Sequence, residues 1–323
     1  MSITSRVDAI TALGPDYARS DPPCPRSVKI ELTARCNFAC SFCARSMRLR
    51  DQGDMARHLF ERLAIEMRDA GVEELGLFYL GESFLVDWLP DAIRFAKVPK
   101  PAPEDAYPYV FLTTNGSLAT PERVYDCMVA GLDSLKFSLN YADQDQFKSI
   151  ANVKGDLYSR ILENLKAAHG VRDTVERATG HRCGLYASYI AYDGEQGAKM
   201  AAVVEDVRPL VDEIYALPLY NQAALTGGEG ERRGWNVTAG NRGRLDALRE
   251  PLPCWSIFTE GHVTWDGRLS ACCFDHAGRF DMGDLKTTPF MAAWHSEKFQ
   301  ALRRAHLVKC VAGTVCERCI AYG

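Results

Sequence analysis

Residues 36–43 read Cys-Asn-Phe-Ala-Cys-Ser-Phe-Cys, a Cys-x3-Cys-x2-Cys spacing that follows the β-type run Val28–Leu32. Three thiolates on so short a stretch can hold three corners of an iron–sulfur cube. Such cubes normally take four cysteines, so three leave one iron open. An open position on a metal centre is where a substrate or cofactor binds, as at catalytic zinc. Zinc is the competing reading. Zinc sites favour paired Cys-x2-Cys groups with tetrahedral closure, and no fourth ligand stands nearby in the sequence.

The triplet sits in an otherwise ordinary composition. The chain has 323 residues, enough for about two domains, with 47% hydrophobic and 25% charged residues and a formal net charge of −4. That mild acidity argues against nucleic acid or an anionic membrane bound through bulk charge. No run of 18 apolar residues predicts a spanning helix, and the first residues lack a basic-then-apolar signal pattern. The expected location is cytoplasmic, where disulfides are rare. The 12 cysteines therefore read as metal ligands or reactive thiols rather than as staples. Nine of them fall in two groups, and Cys24, Cys127 and Cys183 stand apart as structural residues.

Outward from the triplet, strand-like and helix-like patterns alternate. Strands are expected at Val28–Leu32, Glu74–Leu80, Tyr109–Thr113, Ser134–Ser138, Leu185–Ile190 and Glu213–Leu217. Helices are expected at Leu59–Ala70, Leu85–Ala96, Pro121–Ala130, Leu157–Ala178 and Gln196–Val211. This alternation predicts an α/β fold with a parallel sheet covered by helices. Chain order alone does not separate an open sheet from a barrel. Residues 1–26 read as a loosely held arm, 27–225 as the main domain, 226–250 as a Gly/Arg-rich linker and 251–323 as a small α+β domain. In the last, Cys254–Ser270 reads as a hairpin turning at Asp266-Gly267, and Pro289–His306 as one amphipathic helix.

The triplet, with Phe42 between its last two cysteines, resembles the signature of the radical S-adenosylmethionine (SAM) superfamily. The resemblance implies a partial (β/α)6 TIM-like barrel and a 4Fe–4S cluster on Cys36, Cys40 and Cys43. It also implies that SAM, held on the open iron, is cleaved to a 5′-deoxyadenosyl radical. Phe42 would then pack near the adenine. Gly81-Glu82 resembles the family's GE motif for the methionine amino group, with Ser83 where proline is common. Thr114, Asn115, Ser138 and Asn140 stand at strand ends where the family contacts SAM. Read alone, Asn-Gly at 115–116 is a turn dipeptide and the serine and asparagines are caps.

Cys254, Cys272, Cys316 and Cys319 offer four more thiolates, which suit either zinc or a fully ligated cluster. The spacing around Cys254, Gly267 and Cys272 resembles the SPASM/twitch extension of radical SAM enzymes. That resemblance implies one auxiliary 4Fe–4S cluster on these four cysteines, two 4Fe–4S clusters in all. Cys273 and Cys310 are then spare. Each reads either as a buried small side chain or as a hydrogen-atom donor.

The spacing also resembles that of 2-deoxy-scyllo-inosamine dehydrogenase-type enzymes. The reaction so implied is oxidation of a secondary alcohol on an aminocyclitol or sugar. The auxiliary cluster would take one electron, and a flavodoxin- or ferredoxin-like partner would supply the reductant. The alternatives are a radical epimerase using Cys273 or Cys310, a peptide maturase, and a zinc-binding interaction module. Only some 25 residues precede the first strand, which counts against the maturase. Arg232, Arg233, Arg242, Arg244 and Arg249 read as solvated linker charges, with substrate anchoring as the other reading. Trp235, Tyr220, Asn221 and Gln222 are candidate pocket residues, and His276 is the histidine nearest a cysteine group.

Overall fold

The computed structural model describes residues 2–97, 106–153, 155–226, 228, 235–238 and 242–320. Six strands, β1 (Ser27–Ile30), β2 (Glu74–Gly76), β3 (Tyr109–Thr114), β4 (Ser134–Ser138), β5 (Gly184–Ile190) and β6 (Glu213–Leu217), run parallel in sequence order. Helices α2 (Arg57–Asp69), α3 (Leu89–Lys97), α4 (Pro121–Val129), α6 (Tyr158–Thr179) and α7 (Gly194–Val207) belong to their crossovers. Val28, Ile30, Leu75, Val110, Leu112, Leu135, Phe137 and Leu185 are buried in the core. The alternate positions Lys29, Lys136, Ser138, Ser188 and Tyr215 line a cavity of about 380 Å3. The sheet therefore curls around a lumen into which polar side chains project among apolar ones, a partial barrel rather than a flat sheet. Among the described residues no helix is long and apolar enough to cross a membrane.

Most expected elements are present, with shifted ends. The second strand stops at Gly76 and frees Phe78 and Tyr79 to face the cavities. α3 starts at Leu89, because Pro90 fits only a first turn. The one helix expected at Pro289–His306 is two, Phe290–Trp294 and Glu297–Leu307. Ser296 splits them by capping the second through a bond from Phe299 N at 3.3 Å. Cys254 lies before a short helical turn, Ser256–Thr259, rather than on a strand. The hairpin itself is β9 (Glu260–Val263) and β10 (Arg268–Ser270), with Gly267 at φ +80° in its turn.

Three features depart from expectation. First, the C-terminal strands do not form a sheet of their own. β9 pairs parallel with β1 along its whole length, and β10 and β11 (Asp281–Asp284) continue the same nine-stranded sheet. Second, the N-terminal stretch is not a loose arm. Ile3–Thr11 forms a helix, α1, capped by Ser2 and closed by the Arg26 guanidinium on Ala9 O and Ala12 O at 2.9 and 2.8 Å. Its Ile3, Val7 and Ile10 line the lumen. Third, α5 (Gln144–Ala151) appears between β4 and α6.

α1 is anchored by charge. Arg6 pairs with Glu74 at 2.5 Å and stacks on Tyr109. Burial pushes the Glu74 carboxyl up to about 7, with Arg6 only partly opposing it. Folded Glu74 then holds more proton than unfolded Glu74 between pH 4.5 and about 7. Stability contributed by this group is greatest below that window and is lost as pH rises through it. Glu74→Gln is expected to flatten that part of the stability–pH curve in urea unfolding. A variant as pH-sensitive as the parent would contradict this.

Candidate active site

The cysteine triplet lies on the loop after β1, and several elements hold its backbone. The C-terminal carbonyls of α5 accept from it, Ala151 O from Ala39 N at 3.0 Å and Ile150 O from Ser41 N at 2.8 Å. The Arg45 guanidinium reaches back to Cys36 O at 2.8 Å and Phe38 O at 3.1 Å. The Gln222 side chain accepts from Ala44 N at 3.0 Å. Phe38 packs edge-on against Phe147 of α5. The loop after β2 comes equally close. A Cβ on Gly81 would meet Thr33 O at 2.0 Å, so only glycine fits there. Glu82 N then donates to Arg35 O at 2.8 Å.

Cys36, Cys40 and Cys43 line one cavity of about 280 Å3. Burial pushes the Cys36 thiol up to about 11. Burial and the charges of Cys43 and Cys36 push Cys40 well up, and burial raises Cys43. Three buried thiols this close cannot all ionise unless positive charge sits among them. Ligated iron supplies that charge, and the cavity leaves room before the open position, so the residues fit the group. Phe42, Gly81, Glu82, Thr114, Asn115, Ser138 and Asn140 line the same cavity. The buried Glu82 carboxylate accepts from Asn115 N at 2.8 Å, Thr114 Oγ1 at 2.9 Å and Phe84 N at 3.2 Å. Glu82 thus sets the loop after β3 as well as facing the cavity.

The second group converges from distant segments. Burial and the charges of Cys254 and Cys319 raise the Cys316 thiol. A bond with Cys273, burial and the charges of Cys273 and Cys319 raise that of Cys272. Electrostatic coupling thus links Cys316 to Cys254 and Cys319, and Cys272 to Cys319 and Cys273. Asn221 Nδ2 donates to Cys319 O at 2.8 Å, while its neighbour Gln222 holds the first cysteine loop. Residues 222–224 all have positive φ, a strained turn between the two groups. Among the described residues, no three His, Cys, Asp or Glu side chains close on a single metal ion.

The spare cysteines separate. Cys273 lines both the triplet's cavity and the lumen. Cys310 is exposed and lines neither, so the structure does not bring it to the site as a hydrogen donor. Cys127 and Cys183 are buried in the core. His276 lines the triplet's cavity, with burial and Arg50 pushing its imidazole down to about 3.

The two cavities share Phe42, Phe78, Tyr79, Ser138, Asn140 and Cys273 at their junction. Beyond it lie residues that the motif reading passes over. Lys29 Nζ donates to both Glu260 oxygens at 2.8 Å. Burial pushes Glu260 up, but Lys29 and His262 outweigh it and hold the carboxyl down at about 2. Lys136 Nζ lies 3.3 Å from Tyr215 Oη. Their signal was the polar alternation in Ser-Val-Lys-Ile and Ser-Leu-Lys-Phe-Ser, uncommon in parallel strands buried on both faces. Tyr220 and Gln222 line the lumen as expected, whereas Trp235 lines neither cavity and stacks on Tyr192. Arg244 is not a solvated linker charge. It lines the lumen and pairs with Asp8 of α1 at 3.0 Å, and Arg249 pairs with the same Asp8 at 3.5 Å. Arg242 donates to Arg249 O at 2.9 Å. Arg232 and Arg233 lie outside the described residues.

Comparison with known proteins agrees with this layout. Residues 30–182 match the radical SAM superfamily and residues 254–320 match an iron–sulfur cluster-binding domain, SPASM. The chain is 32% identical over 151 residues to the GTP 3′,8-cyclase of Synechococcus sp. (strain CC9902), covering 44% of this chain and 41% of that one. It is 29% identical over 131 residues to the PqqA peptide cyclase of Streptomyces rochei, covering 40% and 34%. The matches thus span less than half of these relatives. Among solved structures, BtrN in complex with AdoMet and 2-DOIA superposes with a TM-score of 0.54 at 16% identity, covering 87% of this chain and 86% of that one. Streptococcus suis SuiB bound to the precursor peptide SuiA gives 0.64 at 13% identity, covering 91% and 72%. At such identities these likenesses show the fold. The two domains imply a 4Fe–4S cluster, SAM and auxiliary iron–sulfur ligation.

Proposed function

With a radical SAM domain and an iron–sulfur cluster-binding domain in one chain, we propose that this enzyme oxidises a secondary alcohol of a sugar or cyclitol held in the lumen. The clusters and SAM that the cysteines would hold would supply radical hydrogen-atom abstraction and a site for one electron, with reductant from a flavodoxin- or ferredoxin-like donor. The substrate loses a hydrogen atom, a proton and an electron, and leaves as a ketone two mass units lighter. One observation carries the reading. Cys273 lines the lumen, and its neighbour Cys272, coupled to Cys319, is one of the four cysteines whose spacing resembles that of an auxiliary-cluster ligand set. A substrate at the junction would be one residue from an electron acceptor. Ser138, Asn140 and Phe42, which line both cavities, would orient it against SAM.

The place of Cys273 on both cavities also favours a second reading, epimerisation. There its thiol would return a hydrogen atom to the other face of the carbon, an electron from the reductant and a proton from solvent would restore the resulting thiyl radical, and the substrate would undergo no net oxidation. The test uses anaerobically reconstituted enzyme with sugars, aminocyclitols, GTP and peptides, since relatives include a GTP cyclase and a peptide cyclase. A lighter ketone supports dehydrogenation. Solvent deuterium in an unoxidised product supports epimerisation. Cys273→Ala is expected to leave dehydrogenation within about two-fold of the parent, since the thiol is then only a wall residue. Loss of product with continued 5′-deoxyadenosine formation would assign the thiol the donor role instead. Turnover of GTP or a peptide alone would overturn both readings.

A further inference from the structure

The lumen carries more cation than anion. Arg6, Lys29, Lys136 and Arg244 line it against Glu74 and Glu260. Arg6 is matched by Glu74 and Lys29 by Glu260. Arg244 pairs with Asp8, which it shares with Arg249, and with Asp246 at 3.7 Å. Lys136 has no carboxylate partner among the described residues. Its nearest polar contact is the Tyr215 hydroxyl, 3.3 Å away. A lysine among largely apolar cavity walls is costly to leave unpaired, and natural proteins pair or solvate such charges.

We infer that the lumen recognises its substrate by an oxyanion, carboxylate or phosphate, held between the Lys136 ammonium and the Tyr215 hydroxyl. This rests on reading the lumen as the substrate site, and it names the class of polyol that enters: an anionic one. The reach is suitable. Lys136 stands two residues before Ser138 on β4, and Ser138 lines both cavities. At about 3.3 Å per residue, an anion on Lys136 places the rest of a substrate roughly 7 Å further along the strand, at the junction. One sugar ring spans that distance. Ser188, on the strand between β4 and β6, offers a further hydroxyl to the same lumen. Glu74 and Glu260 are each held by their own cation, so neither is free to attract an ammonium group.

The test is equilibrium binding to the reconstituted, SAM-loaded enzyme. The probes are glucose 6-phosphate, glucuronate, glucose and 2-deoxystreptamine. At least one of the two anions is expected to bind roughly ten-fold or more tighter than glucose, the usual size of a charge-assisted contact. Which anion leads tells phosphate from carboxylate. Lys136→Met should remove that preference and Lys136→Arg should retain it, with iron content and SAM affinity as checks on folding. Tightest binding by the cationic 2-deoxystreptamine would overturn the inference, as would an unchanged preference in Lys136→Met or no preference in the parent. Turnover is a separate readout. Anion binding through Lys136 without oxidation or epimerisation would sink the proposed reaction and leave this inference standing.

Discussion

Replacing Cys36, Cys40 and Cys43 together by alanine is expected to reduce reductive cleavage of SAM to the uncatalysed level. Iron content should fall from about eight per chain to about four, because each cube holds four. The reasoning is local. The three thiols share one loop and one cavity, and no other cysteine except Cys273 lines it. Cys273 is coupled to Cys272 of the second group, and the triple variant tests whether it can replace a lost ligand. The second group draws its cysteines from residues 254–319, on elements that do not include the triplet loop. Its irons should therefore survive. Retained cleavage in the triple variant would refute the assignment of the open cluster. Loss of all iron would show that the two sites do not load independently.

Arg50→Met is expected to destabilise the fold by about 3–5 kcal/mol, the usual consequence of leaving a buried carboxylate without its cation. Glu31, just past β1, is fully buried and pairs with Arg50 at 2.5 Å. Its second oxygen accepts from Trp265 N in the hairpin turn at 3.1 Å. Burial raises the Glu31 carboxyl even with Arg50 in place. Residues 31 and 50 bracket the cysteine triplet, so this pair closes the loop that carries it and ties that loop to the C-terminal strands. Arg50→Met should also lose iron faster on dilution. Urea midpoints measure the stability change, and the double variant Glu31→Gln, Arg50→Met should recover most of it. A single variant as stable as the parent would remove Glu31–Arg50 from this role.

The local signals were legible in the sequence, and the long-range ones were not. Cys36, Cys40 and Cys43 fall on a loop after a strand because spacing of three and two residues confines them to one loop. Gly81 was marked by a motif, and its physical reason is the carbonyl of Thr33 against it. α5 could have been found from Asp143 and Gln146, since Asp143 Oδ1 caps Gln146 N at 2.8 Å in the manner of a capping box. Likewise Ile3, Val7 and Ile10 carry a helical stripe in α1, though a single short stripe is weak evidence until something packs on it. The pairing of β1 with β9, the convergence of Cys254 with Cys316 and the emptying of Cys310 from the site depend on tertiary contacts. No local period encodes them. Lys136 was hidden for another reason: a lysine on a strand reads as solvent-facing unless the strand is known to border a lumen.

The pairing of β1 with β9 bears on the order in which the molecule is made. β1 leaves the ribosome well before its second neighbour, which begins only at Glu260. Until then one row of its backbone donors and acceptors is open, and the Glu31 oxygen awaits Trp265. Contacts of such long sequence separation form late. The cysteine loop that follows β1 should therefore gain its final rigidity only after the C-terminal segment is synthesised and docked. Iron delivery that required a settled loop would have to follow synthesis and docking of those strands. A ribosome-bound intermediate ending before the hairpin should expose the triplet thiols to alkylation that the finished, reconstituted protein resists.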